Sequence, residues 1–194
     1  MNNTLQSTIN QIQNISPFDQ QETVDKQIFL DTFNNHPECL YRTNLLFHCT
    51  ASAFLVNPQK TKALMAFHNI YNAWSLLGGH TDGETDFFKV AKTEVQQESG
   101  IKEFHLLSNT IFAVDILSVI AHIKNGTYIT NHLHFNITYL LQTDESQKLV
   151  VNPNENTDLQ WLPVEDIIQQ AENQQMKSMY TKLVNKLNKM YPKE

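Results

Sequence analysis

The amino-acid sequence predicts a mixed α+β domain with helices at both ends. Strand-like segments stand on either side of one central helical segment, and helical patterns occupy the two ends of the chain. The chain has 194 residues, of which 41% are hydrophobic, and this suffices for one packed core. We therefore expect a helical N-terminal extension over residues 1–40 and a main domain over residues 41–194 that ends in a helix.

The extension contains two helical patterns. Apolar residues recur at helical spacing in the first pattern, and they are Leu5, Ile9, Ile12 and Ile15. Pro17 ends this pattern. A second helix is predicted over Gln20–Asn35, and it ends before Pro37 because the residue preceding a proline disfavours the helical region.

The main domain begins with a predicted hairpin. Residues 50–57 are typical of a strand, residues 58–61 of a turn, and residues 62–68 of the partner strand. Another short strand over residues 74–77 ends at the glycine pair 78–79.

The central helix follows a polar loop over residues 80–84. It is predicted over residues 85–99, with Thr85 or Asp86 as its N-cap. Gly100 stands where a left-handed glycine commonly ends a helix.

The second half of the main domain is predicted to contain strands and a final helix. One or two strands are expected over residues 104–122, a turn at Asn125-Gly126, and a strand over residues 128–143. A short strand over residues 159–162 precedes a helical region that begins over residues 164–171. Apolar residues then form a stripe typical of a core-facing helix, and they are Met176, Met179, Tyr180, Leu183, Val184, Leu187 and Met190.

Composition excludes several classes of function. Asp plus Glu outnumber Lys plus Arg by 20 to 14, so we expect binding neither to nucleic acid in general nor to anionic membranes. A divalent cation can still bridge such an acidic protein and a polyphosphate. Residues 1–13 lack the basic and apolar regions of a signal peptide, and the apolar run over residues 111–123 is too short to span a bilayer. These features predict a cytoplasmic protein.

The two cysteines, Cys39 and Cys49, form no CxxC pair. A cysteine-rich zinc site and a disulfide scaffold are therefore excluded. Both residues are expected to be small buried apolar side chains.

Three oxygen-bearing side chains share one face of the central helix. Glu94, Gln97 and Glu98 stand at positions i, i+3 and i+4, beside the glycine pair 78–79. Clustered carboxylates of this kind suit a hard divalent cation. A solvated helix face with ordinary surface glutamates remains the alternative on spacing alone.

The segment over residues 78–101 resembles the Nudix box, the strand–loop–helix motif of the Nudix hydrolases. The positions that match are Gly79, Glu94, Val95, Glu98, Gly100 and Ile101. Thr85, Thr93 and Gln97 stand where the family has charged residues. In the family the Glu and Arg at the positions of Thr85 and Thr93 can form an ion pair. Glu84 and Lys92 stand one residue earlier with the same separation, so they are a hypothetical substitute for that pair.

The resemblance extends to a bacterial Nudix group with an N-terminal helical segment. That group carries motifs similar to residues 48–52, to residues 78–83 and to His132-Leu133-His134, and it has a glutamate loop before a tryptophan, here residues 155–161. The resemblance implies the Nudix fold, a mixed β-sheet sandwiched by helices.

Membership of this family implies metal-assisted attack of water on a diphosphate linkage in a nucleotide-like or other small phosphorylated substrate. The implied catalytic residues are Glu94, Glu98 and Glu155, and the cofactor is Mg²⁺ or Mn²⁺. Glu94 and Glu98 are expected to bind the metal, with Gln97 as a poorer ligand because it lacks the negative charge.

Substrate-binding residues are expected at Gly79, His80, His132 and His134. His132 and His134 have the parity of one sheet face, which predicts that they line the substrate cleft. A hydrogen-bonded structural pair is the alternative, and spacing alone does not make them zinc ligands because no third ligand is evident. The intervening residues are expected to be core, and they are Leu133, Phe135 and Ile137.

Two further functions stay open beside hydrolysis. A Nudix fold with a degenerate box, as at Thr85, Thr93 and Gln97, can bind a nucleotide or related ligand without turning it over. A third, weaker alternative is an interaction protein that uses its helical extension. The expected partner is a small-molecule diphosphate, and a homodimer is left open.

Overall fold

The computed structural model describes residues 5–70, 72–108, 110–124 and 126–192. Four α-helices and ten β-strands lie in these ranges. Their order along the chain confirms the predicted mixed α+β class. None of the helices in the described ranges combines the length and apolarity needed to cross a membrane.

The N-terminal extension forms the two predicted helices. The first, α1, covers Leu5–Asn14 and the second, α2, covers Gln20–Asn35. Asp19 caps α2, because its carboxylate accepts a hydrogen bond from Glu22 N at 2.8 Å. A short 3₁₀ helix over Pro37–Leu40 leads into the main domain.

Eight strands form one mixed sheet. They are β1 (Phe47–Val56), β2 (Lys62–His68), β3 (Ala73–Ser75), β4 (Leu77–His80), β5 (His105–Leu106), β6 (Ala113–Val119), β9 (His132–Gln142) and β10 (Asn156–Pro163). The central order is β10-β2-β1-β9-β5, with β3 on β2, β4 on β1 and β6 on β9. β1 and β9 pair in parallel and place His48 opposite His134, whereas the other pairs are antiparallel.

The central helix, α3, covers Phe87–Ser99. Its N-cap is Asp86 rather than Thr85, because the Asp86 carboxylate accepts from Lys89 N at 3.0 Å. Gly100 ends the helix in the left-handed conformation at φ +72°, as predicted.

Helices cover both faces of the sheet, as the Nudix fold requires. On one face α1, α2 and α3 share a core with the sheet, represented by Ile12, Phe29, Phe87, Val95 and Ile137. On the other face the C-terminal helix α4 (Gln174–Met190) builds a second core, represented by Phe54, Met65, Leu140, Tyr180 and Leu183. Cys39 and Cys49 are both buried in the first core, as predicted.

Buried charges connect α2 to the sheet and to α4. Glu22 is 0% exposed and accepts hydrogen bonds from Lys186 Nζ at 2.9 Å and from Val114 N at 3.3 Å. Lys182 Nζ lies 2.6 Å from Asp115 Oδ1. Each of these four charges therefore has an oppositely charged partner, which offsets part of its desolvation cost.

Some strands differ from the predicted segments. Residues 128–143 form two strands rather than one, since Thr127–Ile129 (β8) pairs with His122–Lys124 (β7) in a separate ribbon. Leu133, predicted to be core, is 37% exposed because it lies where β9 enters the sheet. Asn125 of the predicted turn lies outside the described residues, whereas Gly126 has φ +77°.

Residues 164–171, predicted to begin a helical region, contain only a short 3₁₀ helix over Asp166–Gln170. It is too short to be an α-helix of ordinary length and serves as the connection between β10 and α4. The apolar stripe of α4 packs in the second core as predicted, except for Met190, which is 46% exposed near the end of the helix.

Candidate functional site

The helix α3 places two glutamates against the glycine pair in β4. Gly78 N–H donates to Oε2 of Glu98 at 3.0 Å. A Cβ atom on Gly79 would lie 2.2 Å from Oε1 of Glu94, so the absence of a side chain there leaves room for this carboxylate. The glycine pair thus lets the helix approach the strand closely enough to position both acids.

A third carboxylate comes from the loop before β10. One carboxylate oxygen of each of Glu94, Glu98 and Glu155 can be chosen so that the three atoms lie within 4.8 Å of one another. Asn156 Nδ2 donates to Oε1 of Glu98 at 3.4 Å, and Asn152 Nδ2 donates to Glu155 Oε2 at 3.3 Å. These three acids, the carboxylate cluster, bring together the residues that the sequence predicts as catalytic.

The carboxylate cluster carries mutually repelling charges. Burial raises the pKa of Glu94 to about 7, and the charge of Glu155 adds to the rise. Burial likewise raises the pKa of Glu98 to about 8, with Glu94 as the next cause. The Arg42 guanidinium acts in the opposite direction on the pKa of Glu94. Three oxygen donors of this charge fit a divalent cation such as Mg²⁺ or Mn²⁺, which would offset their repulsion.

At two of the three unusual box positions the side chain is exposed or hydrogen-bonds within the helix. Gln97, expected as a poorer metal ligand, is exposed on α3. Thr93 Oγ1 donates to the Lys89 carbonyl at 2.8 Å. The hypothetical Glu84–Lys92 pair is wrong, because Glu84 pairs with Lys89 at 2.6 Å, which lies one turn nearer to the start of α3.

Arg42 is the only arginine of the sequence and interacts electrostatically with Glu94 and Glu155 of the carboxylate cluster. Its Nε donates to Asp82 Oδ1 at 2.7 Å, and its Nη2 contacts the other carboxylate oxygen. Glu94 and Glu155 both raise the pKa of Arg42, although the Asp82 hydrogen bond is the main cause. Sequence patterns did not single out Arg42 as a site residue. The available signal was that the chain has a single arginine and that this arginine lies outside the box, where Thr93 replaces the family's arginine.

Four histidines form a second group, the histidine cluster. His48 in β1 lies 4.9 Å from His80 and 5.0 Å from His134, measured between ring centroids. His80 and His134 are 5.0 Å apart, and His132 stacks on His48 at 4.7 Å. Strand register explains this assembly, because His48 pairs with His134 and the neighbouring Thr50 pairs with His80.

Burial favours the neutral form of His48, His80 and His134. It lowers the pKa of His80 to about 3 and that of His134 well below the usual value, and Arg42 and other histidines are secondary causes. Burial also lowers the pKa of His48. Neutral imidazoles keep a nitrogen lone pair available for a proton donor or a metal ion.

The histidine cluster and the carboxylate cluster lie on opposite faces of the sheet. Successive residues of a strand point to opposite faces, and Gly79 approaches Glu94 whereas His80 is the next residue. On β1, Cys49 belongs to the core under α3, and His48 precedes it. The histidines predicted as substrate ligands are therefore together, but not with the carboxylates.

A polar ladder continues the histidine face further into the sheet. Thr50 Oγ1 and Ser52 Oγ donate to Asn136 Oδ1 at 3.0 and 2.8 Å. Asn136 Nδ2 in turn donates to Thr138 Oγ1 at 3.1 Å. The Thr and Ser of the motif over residues 48–52 thus have a structural role in joining β1 to β9.

Comparisons with known proteins agree with this architecture. The model of the NUDIX domain family matches residues 46–183. The comparison with curated proteins finds no match.

Solved structures with the same fold include hydrolases from several organisms. An Ap4A hydrolase of C. elegans, in a binary complex, is 16% identical, with a TM-score of 0.54 and coverage of 73% of this chain and 96% of that chain. RenU, a Nudix hydrolase of M. smegmatis, is 15% identical, with a TM-score of 0.55 and coverage of 76% and 89%. The dihydroneopterin triphosphate pyrophosphohydrolase of E. coli is 12% identical, with a TM-score of 0.53 and coverage of 71% and 94%. At these identities the likeness shows the fold.

Proposed function

Because this chain belongs to the NUDIX domain family, we propose that it hydrolyses a diphosphate linkage in a nucleotide-like or other small phosphorylated molecule with the help of Mg²⁺ or Mn²⁺. The observation that carries the proposal is the carboxylate cluster, whose oxygens from Glu94, Glu98 and Glu155 converge within 4.8 Å. The family's reaction needs such a set of oxygen donors to hold the cation on the diphosphate.

The carboxylate cluster explains how a degenerate box can still bind metal. Gln97 has no negative charge and is exposed, so we leave it outside the ligand set. Glu155 supplies the third carboxylate from a different part of the chain. The cluster therefore has three charged oxygen donors, although the box lacks one of its glutamates.

In the proposed reaction all three acids hold the cation, and Glu155 has a second role. Glu98 is buried and held by Gly78 N–H and Asn156, so its oxygens are fixed for metal binding. Glu94 faces Gly79 one helical turn away and binds the same cation. Glu155 is only partly buried, and we assign it the proton of the attacking water.

A divalent cation held by Glu94, Glu98 and Glu155 would neutralise charge on the diphosphate and lower the pKa of the attacking water. The water oxygen forms a bond to phosphorus while its proton passes to Glu155. The P–O bond to the leaving phosphate then breaks, and that oxygen keeps the electron pair. Arg42 interacts electrostatically with Glu94 and Glu155, and we assign the N–H groups that it does not use for Asp82 to a substrate phosphate oxygen.

Ligand binding without turnover is the second candidate function. Thr85, Thr93 and Gln97 replace three charged residues of the box, and this observation favours reduced catalysis. Binding and turnover are separable by experiment, because a non-hydrolysing protein still shows affinity for the intact diphosphate.

The test incubates the protein with a panel of diphosphates and Mg²⁺. The panel contains nucleoside diphosphate derivatives, Ap4A and dihydroneopterin triphosphate, and the last two are the compounds after which the similar hydrolases of C. elegans and E. coli are named. Released phosphate or monophosphate that disappears with EDTA and in Glu98→Gln supports hydrolysis. Tight binding of a panel member that stays intact supports the second candidate, and neither binding nor turnover contradicts both.

A further inference from the structure

The histidine cluster has the features of a metal site, and the carboxylate chemistry does not use it. One ring nitrogen from each of His48, His80 and His134 can be chosen so that all three lie within 4.8 Å of one another. These residues come from three adjacent strands, β1, β4 and β9, so the sheet itself sets their spacing.

Hydrogen bonds fix which nitrogen of His48 is free. Its Nδ1 lies 3.0 Å from the Asn44 carbonyl, which only accepts, so Nδ1 carries the proton. Nε2 of the neutral ring therefore holds a lone pair. His48 is 5% exposed, and its Nε2 is buried without a hydrogen-bond partner among the described residues. An unpaired buried nitrogen costs free energy unless something binds it.

Hydrogen bonds also orient His134. Nδ1 of His132 lies 2.8 Å from the Thr130 carbonyl and donates a hydrogen bond to it. Nε2 of His132 lies 3.1 Å from Nε2 of His134, and one of these two nitrogens donates to the other. His132 thus holds the ring of His134 in place beside His48 and His80.

We propose that His48, His80 and His134 form a second metal site, which binds a borderline transition-metal ion such as Zn²⁺. Imidazole nitrogens favour such ions, whereas Mg²⁺ prefers oxygen donors like those of the carboxylate cluster. A proton-bearing Nδ1 bonded to a backbone carbonyl, as in His48, is the usual support of a metal-binding histidine.

The ligand set leaves one coordination position for water or a small anion. Zn–N bonds of about 2.0–2.1 Å in a tetrahedral site bring ligand nitrogens to about 3.4 Å from each other. The three nitrogens lie within 4.8 Å of one another, so the rings must draw closer together by about 1.4 Å or less when the ion binds. His80 and His134 are partly exposed, so an ion has access from solvent.

The main test titrates Zn²⁺ alone into protein without an affinity tag, in competition with a chelator of known affinity. His80→Gln and His134→Gln are each expected to weaken binding by about 100-fold or more, because loss of a supporting partner alone costs 10–100-fold. His105→Gln removes an exposed histidine elsewhere in the sheet and is expected to leave the affinity unchanged.

Two further measurements separate this site from the carboxylate cluster. Glu94→Gln/Glu98→Gln is expected to keep its zinc affinity while losing Mg²⁺ binding. The zinc X-ray absorption spectrum of the loaded protein is expected to show imidazole scattering, with one imidazole fewer in His80→Gln. Zinc binding that disappears with the two glutamates would place the ion in the carboxylate cluster and overturn this site.

The proposal is also overturned if zinc does not bind, or if His80→Gln and His134→Gln bind it as the native protein does. Circular dichroism and thermal unfolding in EDTA establish that each variant is folded. If His134→Gln does not fold, His80→Gln at the end of β4 decides the result alone. None of these outcomes decides whether the protein hydrolyses a diphosphate, because that function is tested separately with Glu98→Gln.

Discussion

Gly79 lies directly against Glu94: a Cβ atom on this glycine would stand 2.2 Å from Oε1 and 2.5 Å from the carboxyl carbon of the glutamate. Real side chains do not pack at such distances, so any larger residue must displace the carboxylate. The glycine therefore matters to the site through the position of an acid rather than through its own backbone conformation.

Gly79→Ala is expected to weaken Mg²⁺ binding and any hydrolysis by about tenfold or more, because Glu94 must leave its position. Calorimetric titration with Mg²⁺ measures the effect. Glu94→Asp shortens the acid and provides the matched control, since the added methyl group then has room. The double variant Gly79→Ala/Glu94→Asp is expected to lose less Mg²⁺ affinity than the product of the two single losses. A loss equal to that product would contradict the proposed contact.

Gln97→Glu is expected to tighten Mg²⁺ binding a few-fold, because it adds negative charge on the same helix face as Glu94 and Glu98. The gain is small since position 97 is exposed, where a charge interaction contributes about 0.2–1 kcal/mol. Gln96→Glu adds the same charge at an exposed neighbouring position that faces away from both acids. Equal effects of the two substitutions would show that net charge alone acts.

Arg42→Gln is expected to change metal and substrate binding in opposite directions. Loss of the guanidinium removes a positive charge near Glu94 and Glu155, so Mg²⁺ binding tightens, whereas KM for a diphosphate rises because a phosphate contact is lost. Steady-state kinetics and metal titration on the same protein measure both. Lys92→Gln, an exposed lysine of α3, serves as the charge-matched control. A rise in KM of the same size in both variants would remove Arg42 from substrate binding.

His68 is expected to make stability depend on pH in mildly acidic solution. Burial, together with Lys124 and His122, lowers its pKa from the usual 6.5 to about 4. Between these values the unfolded chain binds a proton that the folded chain does not, so the free energy of unfolding falls as pH falls. Urea unfolding in EDTA at about pH 7.5 and about pH 5 measures the loss, which is expected to be smaller in His68→Gln. An identical loss in both proteins would contradict this assignment.

Much of the local structure followed from local sequence signals. The helices α1, α2 and α3 and the glycine cap at Gly100 are confirmed, because capping residues and apolar periodicity act within one turn. Strand bounds around residues 104–143 were less accurate. There the tertiary pairing of short strands outweighs local propensity.

The composition of the sites depended on long-range contacts that spacing does not reveal. Glu94 and Glu98 are neighbours on one helix, whereas Glu155 was placed with them only through the family resemblance. His48 escaped attention as a site residue because its partners lie on β4 and β9, far away in sequence. The register of three strands, rather than any motif, brings these histidines together.

The central claim is that Glu94, Glu98 and Glu155 hold one catalytic divalent cation. Crystals grown with Mn²⁺ test it most directly through the anomalous difference map, in which the metal alone gives a strong peak. We predict a peak bound by oxygens of all three glutamates, at distances of about 2.1–2.2 Å. Full Mn²⁺ occupancy elsewhere, with no peak between these carboxylates, would contradict the account.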